Sequence, residues 1–312
     1  MPPAPSTTYG PAVVGYGGRM GKTGALGKPA LVRAACHAMG TRFEMLLYGT
    51  DETRLRAAAA EVTEEILRVH AQLNLFDPAS EVAALNRQAA RAPVRTDARL
   101  LTLIERCREL WRRTHGAFDI TVGALMRKAG FRGDVPQESS AVWGMDGVET
   151  DLEAGTVFFT QPGIELDFGG VAKGYALDLA AEQLRECRVS GALIHGGTSS
   201  VLAVGSDPEG KPWRVGLRDP SRPEEVVHVV ELADTALGVS AVHGRMRERG
   251  GRLIGHVMDP LRGEPAAGLR LAAVSCPSAL DADALATAVL VLGEPLAQEL
   301  RQAGLRVWIA AD

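Results

Sequence analysis

The sequence has little of what zinc sites and membrane spans require. Its cysteines are far apart and form no CxxC pair, which argues against the common structural zinc motifs; they are Cys36, Cys107, Cys187 and Cys276. We therefore expect buried thiols in a reducing compartment. No apolar run approaches the roughly 18 residues that a membrane span needs. The sequence thus predicts no transmembrane segment.

The sequence also lacks a large excess of charge of either sign. The chain carries 34 basic and 38 acidic residues, a net charge of −4, without a dense run of lysine and arginine. This balance predicts no nucleic-acid partner. The first 35 residues lack the apolar stretch of about 7 to 15 residues that marks a signal peptide, so we expect a cytoplasmic protein. A chain of 312 residues, 46% of them hydrophobic, can bury a sizeable core.

Residues 1–30 lack helical or strand periodicity and are rich in Pro, Gly, Ser and Thr, so they predict a flexible N-terminal extension before a domain at 31–312. Within the extension, "GYGGRMGKTG" comes close to two nucleotide motifs. A dinucleotide fingerprint would need Gly in place of Met20, and a P-loop would need Gly in place of Tyr16. A nicotinamide-dependent reductase is therefore disfavoured.

The remaining pattern predicts an α+β fold with mixed or antiparallel sheets flanked by helices, because short strands and helices do not alternate as regular βαβ units. Predicted helices cover 51–73, a stretch from about 80, 97–115, 172–186, 280–292 and 295–303. Predicted strands begin with the alternating Phe43, Met45 and Leu47 and continue at 156–160, 164–168, 192–195, 201–204, 213–218, 226–232, 253–258, 269–275 and 305–310.

The segment "IELDFGGVAKGYALDLAAEQL", residues 164–184, has the features of an anion site. Its pattern predicts a strand, a glycine turn and a helix with Lys173 in the first turn. Free amides at a helix start, small residues and an ammonium group together favour a phosphate. A glycine turn beside a solvated lysine is the alternative.

Asp283 and Thr287 are four residues apart and should share one face of a helix that starts near Leu280. A carboxylate and a hydroxyl suit Mg²⁺, which prefers a few hard oxygen ligands together with substrate phosphates. Alternatively, an Asp in the first turn only interacts with the helix dipole, an interpretation that fits Asp281 better.

His256 lies in "GHVMDPLRGEP", where a predicted strand leads into a turn. Since its pKa is normally close to neutrality, a histidine there could act as a base on a hydroxyl nucleophile, or it could be structural. Two further short motifs, "GAFDITVG" with Asp119 and "MGTRF" with Met39, are not specific alone.

Together and in this order, these segments closely resemble the ApbE-type FAD:protein FMN transferases. The resemblance runs from Met39 to about Ile309. It rests on "MGTRF", "FDPASEVAALN", "GAFDITVG", "LDFGGVAKGYALD", "IHGG", "HVMDPLRGEP" and "DADALATAVLVLG".

The resemblance implies a two-lobed protein with FAD in a cleft between the lobes, Mg²⁺ on the pyrophosphate, and transfer of FMN to Thr or Ser of an acceptor flavoprotein with release of AMP. Gly170, Asp283 and Thr287 would hold the metal, Lys173 the phosphates, and His256 would activate the acceptor hydroxyl. The implied FAD contacts are Met39, Phe76, Ala117, Phe118, Asp119, Asp167 and Met258. Two alternatives remain: FAD pyrophosphatase activity only, or FAD binding without catalysis.

Overall fold

A computed structural model describes residues 30–132, 141–219, 222–242, 246–249 and 252–311. The predicted flexible extension therefore lies outside the described residues except for Ala30, and so does the glycine-rich segment at 15–24. Within the described ranges, no helix is both long enough and apolar enough to cross a membrane.

The described elements confirm the α+β class. The helices, in chain order, are α1 (Glu52–Leu73), α2 (Glu81–Gln88), α3 (Ala98–Arg113), α4 (Gly123–Lys128), α5 (Ala172–Glu186), α6 (Ala279–Leu292) and α7 (Glu294–Gln302). The strands are β1 (Ala30–Ala38), β2 (Thr41–Gly49), β3 (Val94–Arg95), β4 (Val148–Asp151), β5 (Thr156–Phe159), β6 (Gly191–Gly196), β7 (Ser200–Gly205), β8 (Trp213–Asp219), β9 (Arg222–Leu232), β10 (Ala236–Ala241), β11 (Met246–Arg249), β12 (Arg252–Gly255), β13 (Met258–Asp259), β14 (Glu264–Pro265), β15 (Leu269–Cys276) and β16 (Arg306–Ala311).

A seven-stranded antiparallel sheet, in the order β1-β2-β6-β7-β10-β15-β16, forms the centre of the fold. Its first face carries the predicted alternating residues Phe43, Met45 and Leu47, which share the main core with α1, α5 and α6. Its second face packs against the β8–β9 hairpin, where Trp213 is buried beside Leu193. Because both faces are covered, the sheet can rigidly position α5 and α6 on its first face.

Side-chain caps explain where the predicted helices begin. Asp51, Ser80, Asp97 and Ser278 each accept a hydrogen bond from a backbone N–H in the first turn of α1, α2, α3 and α6. Such caps satisfy amides that have no partner inside the helix. The predicted helices at 51–73, 172–186 and 280–292 match α1, α5 and α6 to within one residue.

The strand predicted at 164–168 is wrong. Ile164, Leu166 and Phe168 are buried, but so is Asp167, and within the described ranges the segment makes only an isolated bridge through Glu165. The side chain of Asn86 in α2 takes the place of a partner strand. Its Nδ2 donates to the Leu166 carbonyl at 3.0 Å, and its Oδ1 accepts from the Leu166 N–H at 2.7 Å.

Asn86→Ala is therefore expected to lower the free energy of unfolding by about 2 kcal/mol, because it leaves the buried N–H and C=O groups of Leu166 unpaired. Urea denaturation measures the change. Gln88→Ala, an exposed position in the same helix, is the matched control. Equal decreases in the free energy of unfolding of the two variants would contradict the bridging role of Asn86.

Helices α5 and α6 approach each other closely. A Cβ atom added to Gly174 of α5 would lie 2.2 Å from the Ala279 carbonyl oxygen, so only glycine fits. One turn further on, the carboxylate of Asp178 accepts hydrogen bonds from the N–H groups of Ala279 at 2.7 Å and Leu280 at 3.0 Å. This contact fixes the start of α6 against α5.

All four cysteines are free. Cys107 and Cys276 are buried as expected, and burial raises the pKa of Cys276 to about 12. Cys36 and Cys187 are only half-buried, so the expectation of buried thiols is wrong for these two.

Candidate functional site

The carboxylate of Asp283 lies buried at the start of α5. Its Oδ2 accepts a hydrogen bond from the Gly174 N–H at 2.9 Å, and Ser200 Oγ donates to its two oxygens at 2.8 and 2.9 Å. The sequence predicted free amides at this helix start. In the structure the Gly174 amide binds Asp283, and the Ala172 amide donates to the Phe168 carbonyl at 2.7 Å. The prediction of free amides is therefore wrong for these two residues.

Charge near Asp283 is balanced by Lys173. Burial raises the pKa of Asp283 to about 6, while Lys173, the Ser200 hydroxyl and the Gly174 amide oppose that increase. Lys173 is half-buried in the first turn of α5, at the positive end of the helix dipole. Its ammonium therefore favours the ionised carboxylate, which predominates at neutral pH.

Thr287 and Gly170 lie beside this carboxylate. Thr287 Oγ1 donates to the Asp283 carbonyl at 3.0 Å and lies 3.0 Å from Ser240 Oγ. A Cβ atom added to Gly170 would lie 3.9 Å from Thr287 Oγ1 and 3.5 Å from Phe118 Cε2. The structure thus brings together Gly170, Lys173, Asp283 and Thr287, as the sequence predicted.

This cluster offers hard oxygen donors. Among the described residues, no group of three or more His, Cys, Asp or Glu side chains could enclose a metal ion by itself. Mg²⁺ is commonly held by one or two carboxylates, with water and substrate phosphates as the other ligands. The donor set around Asp283 fits that pattern.

The end of α3 positions the "GAFD" motif. His115 adopts a left-handed conformation at φ 54°, and the Gly116 N–H closes the helix on the Trp111 carbonyl at 2.8 Å. The side chains of Ala117 and Phe118 then enter the core. Any contact of these two residues with a ligand would therefore use their backbone.

Asp119 is buried, and its Oδ1 accepts hydrogen bonds from the N–H of Thr121 at 2.7 Å and from its hydroxyl at 2.6 Å. It borders a cavity of about 480 Å³ lined by residues that include Trp111, Trp143 and Leu261. Burial raises the pKa of Asp119 to about 6 despite these hydrogen bonds. A carboxyl group with a raised pKa beside a cavity is typical of functional sites.

The raised pKa of Asp119 predicts a pH dependence of stability. Between about pH 4 and pH 6 the folded chain retains a proton that the unfolded chain has lost, so the free energy of unfolding falls as the pH rises. Asp119→Asn removes this contribution. As the pH rises from 4 to 6.5, the free energy of unfolding of the variant, measured by urea denaturation, should increase by up to about 3 kcal/mol relative to that of the wild type. A constant difference across this range would contradict the burial of an ionisable carboxyl group here.

Asp167 and Phe76 are joined through a residue that the sequence analysis missed. Asp167 is buried; its Oδ1 accepts from the Gly169 N–H at 2.8 Å, and its Oδ2 forms an ion pair with Arg132 Nη2. The Arg132 guanidinium carbon lies 5.3 Å from the centre of the Phe76 ring, which is 68% exposed. The one local sequence signal for Arg132 is its place two residues after Gly130, the glycine that follows the end of α4.

Met39 lies at the β1–β2 turn with a positive φ of 52°, followed by Gly40 at 70°. Its N–H donates to His70 Nδ1 at 3.2 Å. This conformation is uncommon for a residue other than glycine, and such backbone strain is found preferentially at functional sites.

The single strand predicted at 253–258 is interrupted. β12 ends at Gly255, the half-buried His256 follows, and β13 begins at Met258. Met258 is buried against Leu125 and Ala129 of the α4 segment, which ties the chain after His256 to α4. The Met258 side chain is thus part of a small core.

The fold and this site define an α+β protein in which a carboxylate, a hydroxyl and a lysine converge on the start of one helix, as in sites that bind phosphates with a divalent cation. The chain belongs to the ApbE family, whose model matches residues 39–309. The predicted resemblance is confirmed.

Curated relatives carry the name FAD:protein FMN transferase. The protein of Rhodobacter capsulatus is 32% identical over 271 residues, which are 83% of this chain and 51% of that one. The protein of Treponema pallidum is 31% identical over 297 residues, 86% of this chain and 82% of that one. The chain therefore spans about half the length of the first relative and most of the second.

Solved structures show the same fold. The ApbE protein of Thermotoga maritima matches with a TM-score of 0.82 and 26% identity, over 90% of this chain and 94% of that one. The apo flavinyl transferase ApbE of Pseudomonas stutzeri matches with a TM-score of 0.79 and 25% identity, over 92% and 93%.

Proposed function

We propose that this chain is an FAD:protein FMN transferase that moves the FMN part of FAD onto a Thr or Ser hydroxyl of an acceptor flavoprotein. The observation that carries the proposal is the convergence of Asp283, Thr287, Gly170 and Lys173 in a member of the ApbE family. Curated relatives that cover most of this chain bear the name of this activity.

The proposal includes a Mg²⁺ ion held by the Asp283 carboxylate, the Thr287 hydroxyl and the Gly170 carbonyl. When bound, the ion neutralises charge on the diphosphate of FAD. The oxygen donors fit Mg²⁺, and the small Gly170 leaves space beside Thr287. Lys173 contributes a second positive charge in the same region.

In the proposed reaction the acceptor oxygen attacks the phosphorus of the FMN part. A new P–O ester bond forms, the P–O bond to the AMP part breaks, and AMP leaves with the bonding electrons. His256 takes the proton of the attacking hydroxyl. The enzyme contributes mainly by positioning the reactants and stabilising charge, as is usual in phosphoryl transfer.

In this proposal FAD is held in a cleft between two lobes. The flavin nucleotide is bound by Asp167, Asp119, Met39, Phe76 and Met258. Asp119 beside its cavity and the exposed ring of Phe76 support this part of the proposal. The exposed ring can stack on an aromatic ring system of the ligand.

A direct test incubates the protein with FAD, Mg²⁺ and a flavoprotein domain that contains a candidate threonine. We expect a fluorescent acceptor band on a denaturing gel, formed together with AMP and lost in the presence of a chelator. FAD that is hydrolysed to FMN and AMP with no labelled band would indicate a pyrophosphatase. FAD retained without labelling or AMP, across acceptors and divalent metals, would favour a binding protein without catalysis.

A further inference from the structure

Arg132 has a charged side chain that is almost fully enclosed within the candidate nucleotide site. Its side chain is 9% exposed. It lies between two residues expected to contact the flavin nucleotide: Nη2 pairs with Asp167, and the guanidinium stands over the Phe76 ring. Neither contact follows from sequence spacing, because the three residues come from separate segments of the chain.

The hydrogen bonds of this guanidinium are incomplete. Arginine has five N–H donors, and among the described residues Nε and Nη1 of Arg132 have no hydrogen-bond partner. Buried polar atoms are nearly always paired in native proteins, and a buried cation with unpaired donors is unfavourable. Nε and Nη1 of the planar guanidinium are thus left for acceptor atoms that the described residues do not provide.

The end of α4 and a small core hold the backbone that leads to Arg132. Helix α4 ends at Lys128 and is followed by Gly130 at φ 85°. The Gly130 N–H donates to the Arg127 carbonyl at 2.8 Å, and the Phe131 N–H donates to the Met126 carbonyl at 2.9 Å. This pair of bonds is the Schellman arrangement, which glycine favours. Phe131 then packs in the small core that contains Met258. The approach to Arg132 is therefore fixed by helix termination and packing.

We propose that Arg132 is a further nucleotide-binding residue, whose Nε and Nη1 donate hydrogen bonds to an oxygen of the flavin nucleotide, either on a phosphate or on a flavin carbonyl. The inference rests on the proposed function. Asp167 then contributes to nucleotide binding mainly by positioning Arg132, because its oxygens already accept from the Gly169 N–H and pair with Arg132 Nη2. The planar fork matches a phosphate or a carbonyl edge in a way that a lysine ammonium cannot.

The test measures dissociation constants for FAD, FMN and riboflavin by flavin fluorescence, with Mg²⁺ present and the full chain. Arg132→Met and Arg132→Lys should each weaken FAD binding by about tenfold or more, since neither provides the fork. If the arginine variants bind riboflavin as tightly as the wild type does, the contact is to a phosphate. If their affinity for riboflavin falls in parallel with their affinity for FAD, the contact is to the flavin ring. As a control, Lys128→Met removes an exposed positive charge from the end of α4 and should leave all three affinities within about twofold of the wild type.

FAD affinity that is unchanged or tighter in Arg132→Lys overturns the inference, and tighter binding would indicate that Arg132 obstructs the site. If Arg132→Met fails to fold by circular dichroism, Arg132→Lys, which keeps the positive charge beside Asp167, decides alone. A wild-type chain that binds no FAD would defeat the proposed function itself. If the wild type binds FAD and the Arg132→Lys variant binds it equally well, only this inference is defeated.

Discussion

Asp283→Asn is expected to reduce the rate of FMN transfer about a hundredfold or more while the chain remains folded. The loss follows because an amide cannot replace the negative charge that a divalent cation requires. The fold should persist because the amide oxygen can accept from the Gly174 N–H, while the amide nitrogen can donate to the Ser200 hydroxyl. The hydrogen-bond network of the site is thus retained without its charge.

The measurement is the initial rate of acceptor labelling on a denaturing gel as a function of Mg²⁺ concentration, with circular dichroism as the check on folding. Asp281→Asn is the matched control, because Asp281 lies in the same helix and pairs with Arg106 of α3. The Asp281→Asn variant should retain FMN transfer at the wild-type rate. Full activity of Asp283→Asn at ordinary Mg²⁺ concentrations would show that the metal assignment is wrong.

Asp283→Ala is less informative than the asparagine variant. It leaves the Gly174 N–H and the Ser200 hydroxyl without their acceptor in a buried position, which costs about 1 to 3 kcal/mol for each group. Removal of the buried charge offsets part of that loss. A loss of activity in the alanine variant would therefore combine altered stability with altered chemistry.

Local features of the chain could be predicted because short-range physics determines them. The cap at Asp97 and the apolar stripe of α3 follow from neighbouring residues, and so does the placing of Asp283 and Thr287 on one helix face. Phe43, Met45 and Leu47 alternate because one face of β2 is buried. In each case the structure agrees with the pattern.

Long-range partners could not be predicted in this way. Ser200 lies 83 residues from Asp283 in sequence, and Gly174 lies 109 residues away, yet both bind its carboxylate. The error at 164–168 has the same cause: alternating apolar residues predict an extended strand, but only tertiary structure shows that Asn86 replaces the neighbouring strand. Strand β1 has few large apolar residues, so the sequence pattern does not predict it.

Arg132 was missed for a different reason. It follows a short helix and belongs to no apolar period, and an isolated arginine in sequence usually indicates a solvated surface position. Its burial depends on contacts with Phe76, which precedes it in the sequence, and Asp167, which follows it. No motif specifies these sequence separations. Such a residue is recognised only once the fold brings its partners together.

Two of the three glycines in the segment "DFGGVAKG", Gly170 and Gly174, have different expected roles, and alanine substitution should separate them. At Gly174 an added Cβ atom would lie 2.2 Å from the Ala279 carbonyl oxygen and 2.7 Å from the Leu280 nitrogen. Backbone atoms of a packed helix cannot move aside cheaply. Gly174→Ala should therefore lower the free energy of unfolding by about 3 kcal/mol.

Gly170→Ala should behave in the opposite way. Its Cβ atom would make ordinary contacts with Phe118 at 3.5 Å and Thr287 at 3.9 Å, and the Gly170 backbone is outside the left-handed region. Stability should stay within about 1 kcal/mol of the wild type. The new methyl group would nevertheless occupy the space beside Thr287, so Mg²⁺-dependent FAD affinity should fall by about tenfold or more.

Urea denaturation and FAD titration of both variants separate a requirement for helix packing from a requirement for ligand space. A Gly170→Ala variant that binds FAD like the wild type would mean that the diphosphate lies elsewhere. A Gly174→Ala variant as stable as the wild type would contradict the close approach of α5 and α6. Because that approach also delivers the Gly174 amide to Asp283, the destabilised variant should lose FMN transfer even at temperatures where it remains folded.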